Sequence, residues 1–150
     1  MIKKVIKWFE KHNKLSWIIT ILLGILIFYM SSLSFKTGVP GPGTIVIKSI
    51  IYHFLIFFLL SGFLLISLIK GKKTNLFLFG IIIVIIYAIS DEIHQLFIPG
   101  RVFSIADILT DSAGILFAGL IYLRTLISRD KSQPILNNRE VDDIKKTIYS

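Results

Sequence analysis

The polar side chains that could perform chemistry gather in a few otherwise apolar stretches of the sequence. They are His53, Tyr87, Asp91, Glu92, His94, Gln95, Arg101, Asp107 and Asp111. Carboxylates and imidazoles are the groups that general acid–base chemistry uses, and an arginine is a forked donor for phosphate or carboxylate. Ionisable groups inside a membrane-spanning run are energetically unfavourable, so a group of this size predicts a functional site.

Helical spacing places many of these residues on shared faces. Asp107, Asp111, Gly114 and Ala118 recur at intervals of four and three residues, which makes one stripe on a helix. Gly114 and Ala118 form a small-xxx-small pair, which predicts close helix packing. We expect the stripe to face the interior of the bundle, against the face of the preceding span that carries Tyr87.

Four apolar runs of about twenty residues must position these side chains. They predict transmembrane helices over residues 15–33, 47–69, 76–97 and 102–127. Mean hydropathy is +0.77, and the 17% of charged residues lies below the roughly 25% typical of soluble domains. The predicted fold is therefore all-α, an integral membrane bundle of four transmembrane helices. The chain has no cysteine, which excludes disulfides and thiolate chemistry.

Polar segments connect and flank the four runs. Gly and Pro are dense over residues 36–44, which predicts a loop, and the lysine-rich segment 70–75 ends the second span. A weak helix is predicted near the C-terminus, around residues 141–148. The predicted divisions are a basic interfacial segment, 1–14, a membrane domain, 15–127, and a polar cytoplasmic tail, 128–150.

The distribution of basic residues predicts the orientation in the membrane. Fourteen of the 17 Lys and Arg residues lie in the N-terminal segment, the 70–75 loop and the C-terminal end, and only Lys36, Lys48 and Arg101 lie elsewhere. The positive-inside rule then places both termini in the cytoplasm and the polar residues of the spans in the outer half of the bundle. The net charge of +8 fits this explanation, and no nucleic-acid motif is present.

The segment 87–119 resembles the VanZ-like family of small multi-pass membrane proteins. The residues that carry the resemblance are Glu92, Gln95, Phe97, Pro99, Arg101, Asp107, Asp111 and Gly114. His53-Phe54 also matches, although Lys48 precedes this histidine by five residues where the family commonly has three. The Ser-rich end of the first span, with Ser32 and Ser34, is similar too. The resemblance implies a multi-pass protein of the cell membrane with a role in the cell envelope, in a family whose founding member is linked to teicoplanin resistance.

Two functions remain open from the sequence. In the first, the outer polar site binds a lipid headgroup, an envelope precursor or an amphiphilic drug, and Arg101 pairs with Glu92 or Asp107. In the second, an enzyme acts on a phosphate-bearing lipid, with Glu92 or Asp107 as general base and His53 or His94 as proton shuttle. The binding function is favoured because no nucleophile–base pair is adjacent in the sequence. Without a strong metal motif, we predict no metal and no cofactor.

Overall fold

The computed structural model describes residues 1–34, 42–72 and 74–130, and within these ranges every regular element is helical. The α-helices are α1 (Ile2–Lys11), α2 (Asn13–Ser31), α3 (Pro42–Ile69), α4 (Phe77–Gln95) and α5 (Ile105–Asp130), with a 3-10 turn at Thr74–Leu76. Four of them, α2 to α5, are long and apolar enough to span a membrane. The predicted all-α bundle of four membrane helices is therefore confirmed, and the side of the membrane that the termini occupy stays a prediction.

The outer surface of α2 shows what solvent this bundle requires. Its side chains Ile18, Ile21, Leu22 and Ile25 are each more than half exposed. A row of large apolar side chains facing outward is unfavourable in water and favourable in a bilayer, where the hydrocarbon is the solvent. The structure therefore describes a membrane protein.

Two helix boundaries differ from the sequence prediction. Helix α3 begins at Pro42, inside the predicted loop 36–44, because proline is well tolerated at the first helical position, where no N–H partner is needed. Helix α5 begins at Ile105 and continues to Asp130, past the predicted start of the tail. The rest of that tail, with its predicted weak helix, lies outside the described residues.

Helix α3 is the centre of the bundle, since it packs against α2, α4 and α5 and makes its most extensive contact with α5. The close approach is made at Gly114, where a Cβ atom would lie 2.3 Å from the carbonyl oxygen of Phe54. Ser61 adds a hydrogen bond across the same interface, from its Oγ to the carbonyl oxygen of Ile115 at 3.3 Å. Ala118, one turn further along, is only 3% exposed.

The stripe on α5 therefore faces the interior, as predicted, but its partner helix was predicted wrongly. Asp111 and Gly114 lie against α3, the second span, rather than against the Tyr87 face of α4. Helix α4 meets α5 at Gly119, the residue after Ala118, where Ile81 of α4 lies against the glycine. A short connector makes α4 and α5 neighbours, but the absence of a Cβ at Gly114 decides which backbones touch.

The N-terminal helix is docked onto the far end of the bundle. Ile6 is buried there, and Glu10 forms an ion pair with Arg129 of α5, in which Nη1 donates to both carboxylate oxygens, at 2.7 and 3.0 Å. The Tyr122 hydroxyl donates to Glu10 Oε1 at 2.8 Å and accepts from the backbone N–H of Gly71 at 3.2 Å. We call Glu10, Tyr122 and Arg129 the terminal cluster. It ties α1, α5 and the turn after α3 together.

Candidate functional site

The opposite end of the bundle holds most of the candidate residues. The C-terminal ends of α2 and α4 meet the N-terminal halves of α3 and α5 there. We call the side chains that come together at this end the polar cluster: His53, Asp91, Glu92, Gln95, Asp107 and Asp111. All of them are buried except Asp107, which is partly exposed.

His53 joins α3 to α5. Its Nδ1 lies 3.0 Å from Asp111 Oδ1, and its Nε2 lies 3.9 Å from Asp107 Oδ2. The two aspartates are one helical turn apart on α5, and Gly114 lies on the same stripe one turn beyond Asp111. The backbone approach at Gly114 therefore brings the imidazole within reach of both carboxylates.

Glu92 joins α4 to the start of α5. Its side chain is fully buried, and Oε2 accepts a hydrogen bond from the backbone N–H of Ser104 at 2.9 Å. The Ser104 hydroxyl in turn accepts from the backbone N–H of Asp107 at 3.1 Å. Ser104 is thus the N-cap residue of α5, and Glu92 satisfies its N–H in the way that a glutamate of the same helix does in a capping box.

Gln95 connects the two carboxylates of α4. Its Nε2 donates to Glu92 Oε1 at 3.0 Å and to Asp91 Oδ2 at 3.3 Å. One donor group is thereby shared between two acceptors, and Asp111 Oδ2 is buried without a hydrogen-bond partner among the described residues. The cluster holds more acceptor atoms than donors, which is unusual for a purely structural network.

A cavity of about 380 Å³ lies beside the cluster, between α2, α3 and α4. Its polar wall includes Ser31, Lys48, His53, Asp91, Gln95 and Arg101. Its apolar wall includes Ile27, Tyr52 and Phe57. A space of this size with a few convergent polar groups and an apolar floor is typical of a small-molecule site.

Arg101 lies at this cavity, and two described hydrogen bonds hold it against the C-terminal end of α2. Its Nε donates to the carbonyl oxygen of Leu33 at 3.1 Å, and its Nη2 donates to that of Met30 at 2.9 Å. The pairing of Arg101 with Glu92 or Asp107 stays a prediction. A helix C-terminus offers unpaired carbonyls and a partial negative charge, both of which suit a guanidinium.

Three further candidates outside the polar cluster, Tyr87, His94 and Ser32, connect α4 to α2. The Tyr87 hydroxyl donates to the carbonyl oxygen of Gly24 at 2.7 Å, which ties α4 to α2. His94 Nε2 lies 3.0 Å from Ser32 Oγ, and its ring stacks on Phe28 with centroids 4.7 Å apart. These contacts hold α2 against α4 and give both side chains a structural role.

Lys48 and Ser34, the remaining candidates, are both exposed, and Lys48 also lines the cavity. The cavity is therefore lined by Lys48, but not by Ser34, together with members of the polar cluster.

Sequence reasoning missed the terminal cluster and the capping role of Ser104. A signal for the former existed, because Glu10 is the only Asp or Glu before Asp91 and lies among five lysines. The partners, however, are 112 and 119 residues away in the chain. Local spacing cannot pair residues across such a distance.

Three residues of the polar cluster also have an arrangement suited to a metal ion. His53, Glu92 and Asp111 each offer one ligand atom, and these atoms lie within 4.8 Å of one another. No other group of this kind occurs in the described parts of the chain.

Comparison with known proteins gives a family and no close relative. No curated protein and no solved structure matches the chain. The profile of the VanZ/LLP1 family matches residues 7–128, a range that includes α2, α3 and α4, nearly all of α5 and the second half of α1. With the fold and the polar cluster described above, this match shows that the chain belongs to the VanZ/LLP1 family.

Proposed function

We propose that this protein lies in the cell membrane and binds the phosphate-bearing head of an amphiphile in the cavity beside the polar cluster. The amphiphile is a membrane lipid or a lipid-linked precursor of the cell envelope. The proposal rests on one observation: Lys48 and Arg101, two positively charged residues, both line a cavity whose floor is apolar. Both termini lie in the cytoplasm, so the cavity opens toward the outer leaflet.

The two cations favour an anionic head. Lys48 is exposed at the start of the second span and is able to move toward a ligand. Arg101 is oriented by the carbonyl oxygens of Met30 and Leu33, and its charge acts on the cavity whatever else it contacts. Phosphate is an anion that both residues commonly recognise in proteins, arginine as a forked donor and lysine as a point charge.

The apolar wall favours an amphiphile over a free anion. Ile27 and Phe57 are buried in the bundle, and Tyr52 brings an aromatic ring to the same cavity. The outer surfaces of the flanking helices are apolar as well, with Ile50 and Ile51 exposed on α3. A ligand whose head occupies the cavity therefore has an apolar surface along which its tail extends in the bilayer.

Membership of the VanZ/LLP1 family supports an envelope role without naming the ligand. By resemblance, a glycopeptide of the teicoplanin type is a second amphiphile that the cavity would take, with a role in antibiotic resistance. The relative affinities of a lipid phosphate and of teicoplanin distinguish the two ligands.

Farnesyl phosphate is a suitable probe, and its binding to the purified protein is measurable in detergent by microscale thermophoresis. We expect farnesol, which lacks the phosphate, to bind at least about tenfold more weakly, because it loses at least one charge-assisted hydrogen bond. We expect inorganic phosphate, which lacks the tail, to bind at least about tenfold more weakly as well, because it loses the burial of apolar surface. Equal binding of farnesol would contradict the recognition of the head. Tighter binding of teicoplanin than of farnesyl phosphate would identify a glycopeptide drug, and not a lipid, as the ligand of the cavity.

Lys48→Gln is the variant that tests the site, and Lys70→Gln is its matched control. Both remove one positive charge from an exposed lysine, but Lys70 lies at the opposite end of α3. We expect Lys48→Gln to weaken farnesyl phosphate binding about tenfold and Lys70→Gln to leave it unchanged. Equal effects of the two variants would show that the net charge of the protein, not the cavity, attracts the ligand.

The alternative, an enzyme acting on the same lipid, is supported by one observation. His53 lines the cavity and is oriented by Asp111, so an imidazole faces the place where the head would lie. Release of inorganic phosphate from farnesyl phosphate, abolished by His53→Gln, would show catalysis. Recovery of unchanged farnesyl phosphate after prolonged incubation would leave binding as the function.

A further inference from the structure

Three buried side chains from three different helices converge behind the cavity: His53 of α3, Glu92 of α4 and Asp111 of α5. Each offers one ligand atom, and the three atoms lie within 4.8 Å of one another. Ligand atoms on one tetrahedral zinc ion lie about 3.3 Å apart, so each of these atoms would move by roughly 1 Å or less to bind it.

An unsatisfied atom points to something that the protein itself does not supply. Asp111 is fully buried, and its Oδ2 has no hydrogen-bond partner in the described part of the chain. A buried carboxylate oxygen without a partner is unfavourable and rare. A bound cation would satisfy it.

The groups near Asp111 Oδ2 are mostly acidic as well. The carboxylates of Glu92 and Asp111 both lie in the buried interior, and Asp107 lies 3.9 Å from the other side of His53. Uncompensated negative charge is most unfavourable where water is excluded. A divalent ion would compensate two carboxylates at once and make their burial in a membrane bundle tolerable.

The surroundings of His53 also resemble those of a metal ligand. Its Nδ1 and Asp111 Oδ1 are 3.0 Å apart, close to the spacing of two atoms bound to one ion. With an ion on Nδ1, the ring proton lies on Nε2, 3.9 Å from Asp107 Oδ2, which is close enough for electrostatic attraction but longer than a hydrogen bond. Histidine ligands usually have a carboxylate hydrogen-bonded to the second nitrogen, and a small movement of Asp107 would complete that arrangement.

We propose that His53, Glu92 and Asp111 bind one divalent transition-metal ion, of which Zn²⁺ and Mn²⁺ suit one imidazole and two carboxylates best. Glu92 retains lone pairs for this ion, since each of its oxygens accepts one described hydrogen bond. The site differs from our sequence prediction of no metal, because its ligands come from three helices and form no sequence motif. It does not depend on the proposed lipid binding.

The first test uses the unaltered protein, purified without a polyhistidine tag. We expect elemental analysis to find about one transition-metal ion per chain. We also expect Zn²⁺ or Mn²⁺, added to protein stripped with a chelator, to raise the apparent melting temperature by about 5 °C at hundredfold excess over the dissociation constant. A protein that holds no such metal and shows no shift with either ion would overturn the proposal.

Variants then locate the ion. We expect Asp111→Asn and His53→Gln each to lower the metal content at least tenfold. His94→Gln and Asp91→Asn are the matched controls, because they change a histidine and an aspartate near the same end of the bundle but outside the three ligands. Both controls should keep their metal. Metal retained in Asp111→Asn, or lost equally in His94→Gln, would show that the ion binds elsewhere.

Circular dichroism distinguishes a variant that loses metal because it fails to fold from one that is folded but lacks a ligand. If a variant does not fold, the metal-dependent melting shift of the unaltered protein still tests the proposal. Co²⁺ absorption bands of that same protein identify nitrogen and oxygen ligands without any substitution.

Discussion

The two ends of the bundle both bury charged groups, but they do so in opposite ways. In the terminal cluster one carboxylate, Glu10, faces one guanidinium, Arg129, and the Tyr122 hydroxyl accepts from one backbone group and donates to Glu10. The polar cluster contains four carboxyl groups and one imidazole, and Asp111 Oδ2 has no hydrogen-bond partner among the described residues.

This difference separates a structural network from a functional one. A network that only holds helices together is most stable when its charges match. An excess of like charge is unfavourable for folding and is retained where a ligand completes the network. The terminal cluster should therefore contribute mainly to stability, and the polar cluster mainly to binding.

Cysteine labelling assigns the two ends to the two sides of the membrane with an all-or-none effect. The chain has no cysteine of its own, so Gly41→Cys and Lys72→Cys each introduce a single thiol. We expect a membrane-impermeant maleimide to label residue 41 in intact cells and residue 72 only after lysis, because the positive-inside rule places the lysine-rich loop in the cytoplasm. The reverse pattern would turn the polar cluster toward the cytoplasm.

Gly114→Ala should have the largest effect on stability, since its new Cβ would lie 2.3 Å from a backbone oxygen of α3. We expect the free energy of unfolding in detergent to fall by about 3 kcal/mol. Gly62→Ala is the control, because nothing lies within 4 Å of its added Cβ, and it should be neutral or stabilising. If both variants unfold alike, α3 and α5 do not approach at Gly114.

Glu10→Gln should destabilise the protein by about 2 kcal/mol, because it removes the carboxylate of the partly buried ion pair with Arg129. We expect binding of farnesyl phosphate to be unchanged, since the terminal cluster lies at the other end of the bundle. Denaturation monitored by circular dichroism, together with the binding assay, tests both halves. Weaker ligand binding at unchanged stability would remove the distinction between the two ends.

In protein stripped of metal, Asp111→Asn should change stability least, by less than about 1 kcal/mol, because asparagine is isosteric and still accepts a hydrogen bond from His53. This substitution removes one negative charge from an excess of them. The same denaturation experiment measures it beside Glu10→Gln. A loss larger than that of Glu10→Gln would make the polar cluster a structural network after all.

The fold was predictable where a residue's own segment determines its structure, and the site was predictable only in part. Apolar runs determine the four spans, and the stripe of Asp107, Asp111 and Gly114 determines which face of α5 turns inward. The choice of α3 as its partner was not predictable, because it depends on how closely two distant backbones approach. Spacing also grouped His94 with Asp91, whereas the structure places the His94 ring against Ser32, at the C-terminal end of α2.

The hydrogen bond between Glu92 and the backbone of Ser104 has a consequence for how the protein enters the bilayer. A carboxylate that inserts without a partner costs about 2.5–3.5 kcal/mol near the centre of a span. Its partner here follows only twelve residues later in the chain, so it leaves the ribosome almost at once. The geometry favours insertion of α4 and α5 together as a helical hairpin, with the glutamate already shielded from lipid before α3 packs against it. A longer connector would delay that shielding during biogenesis.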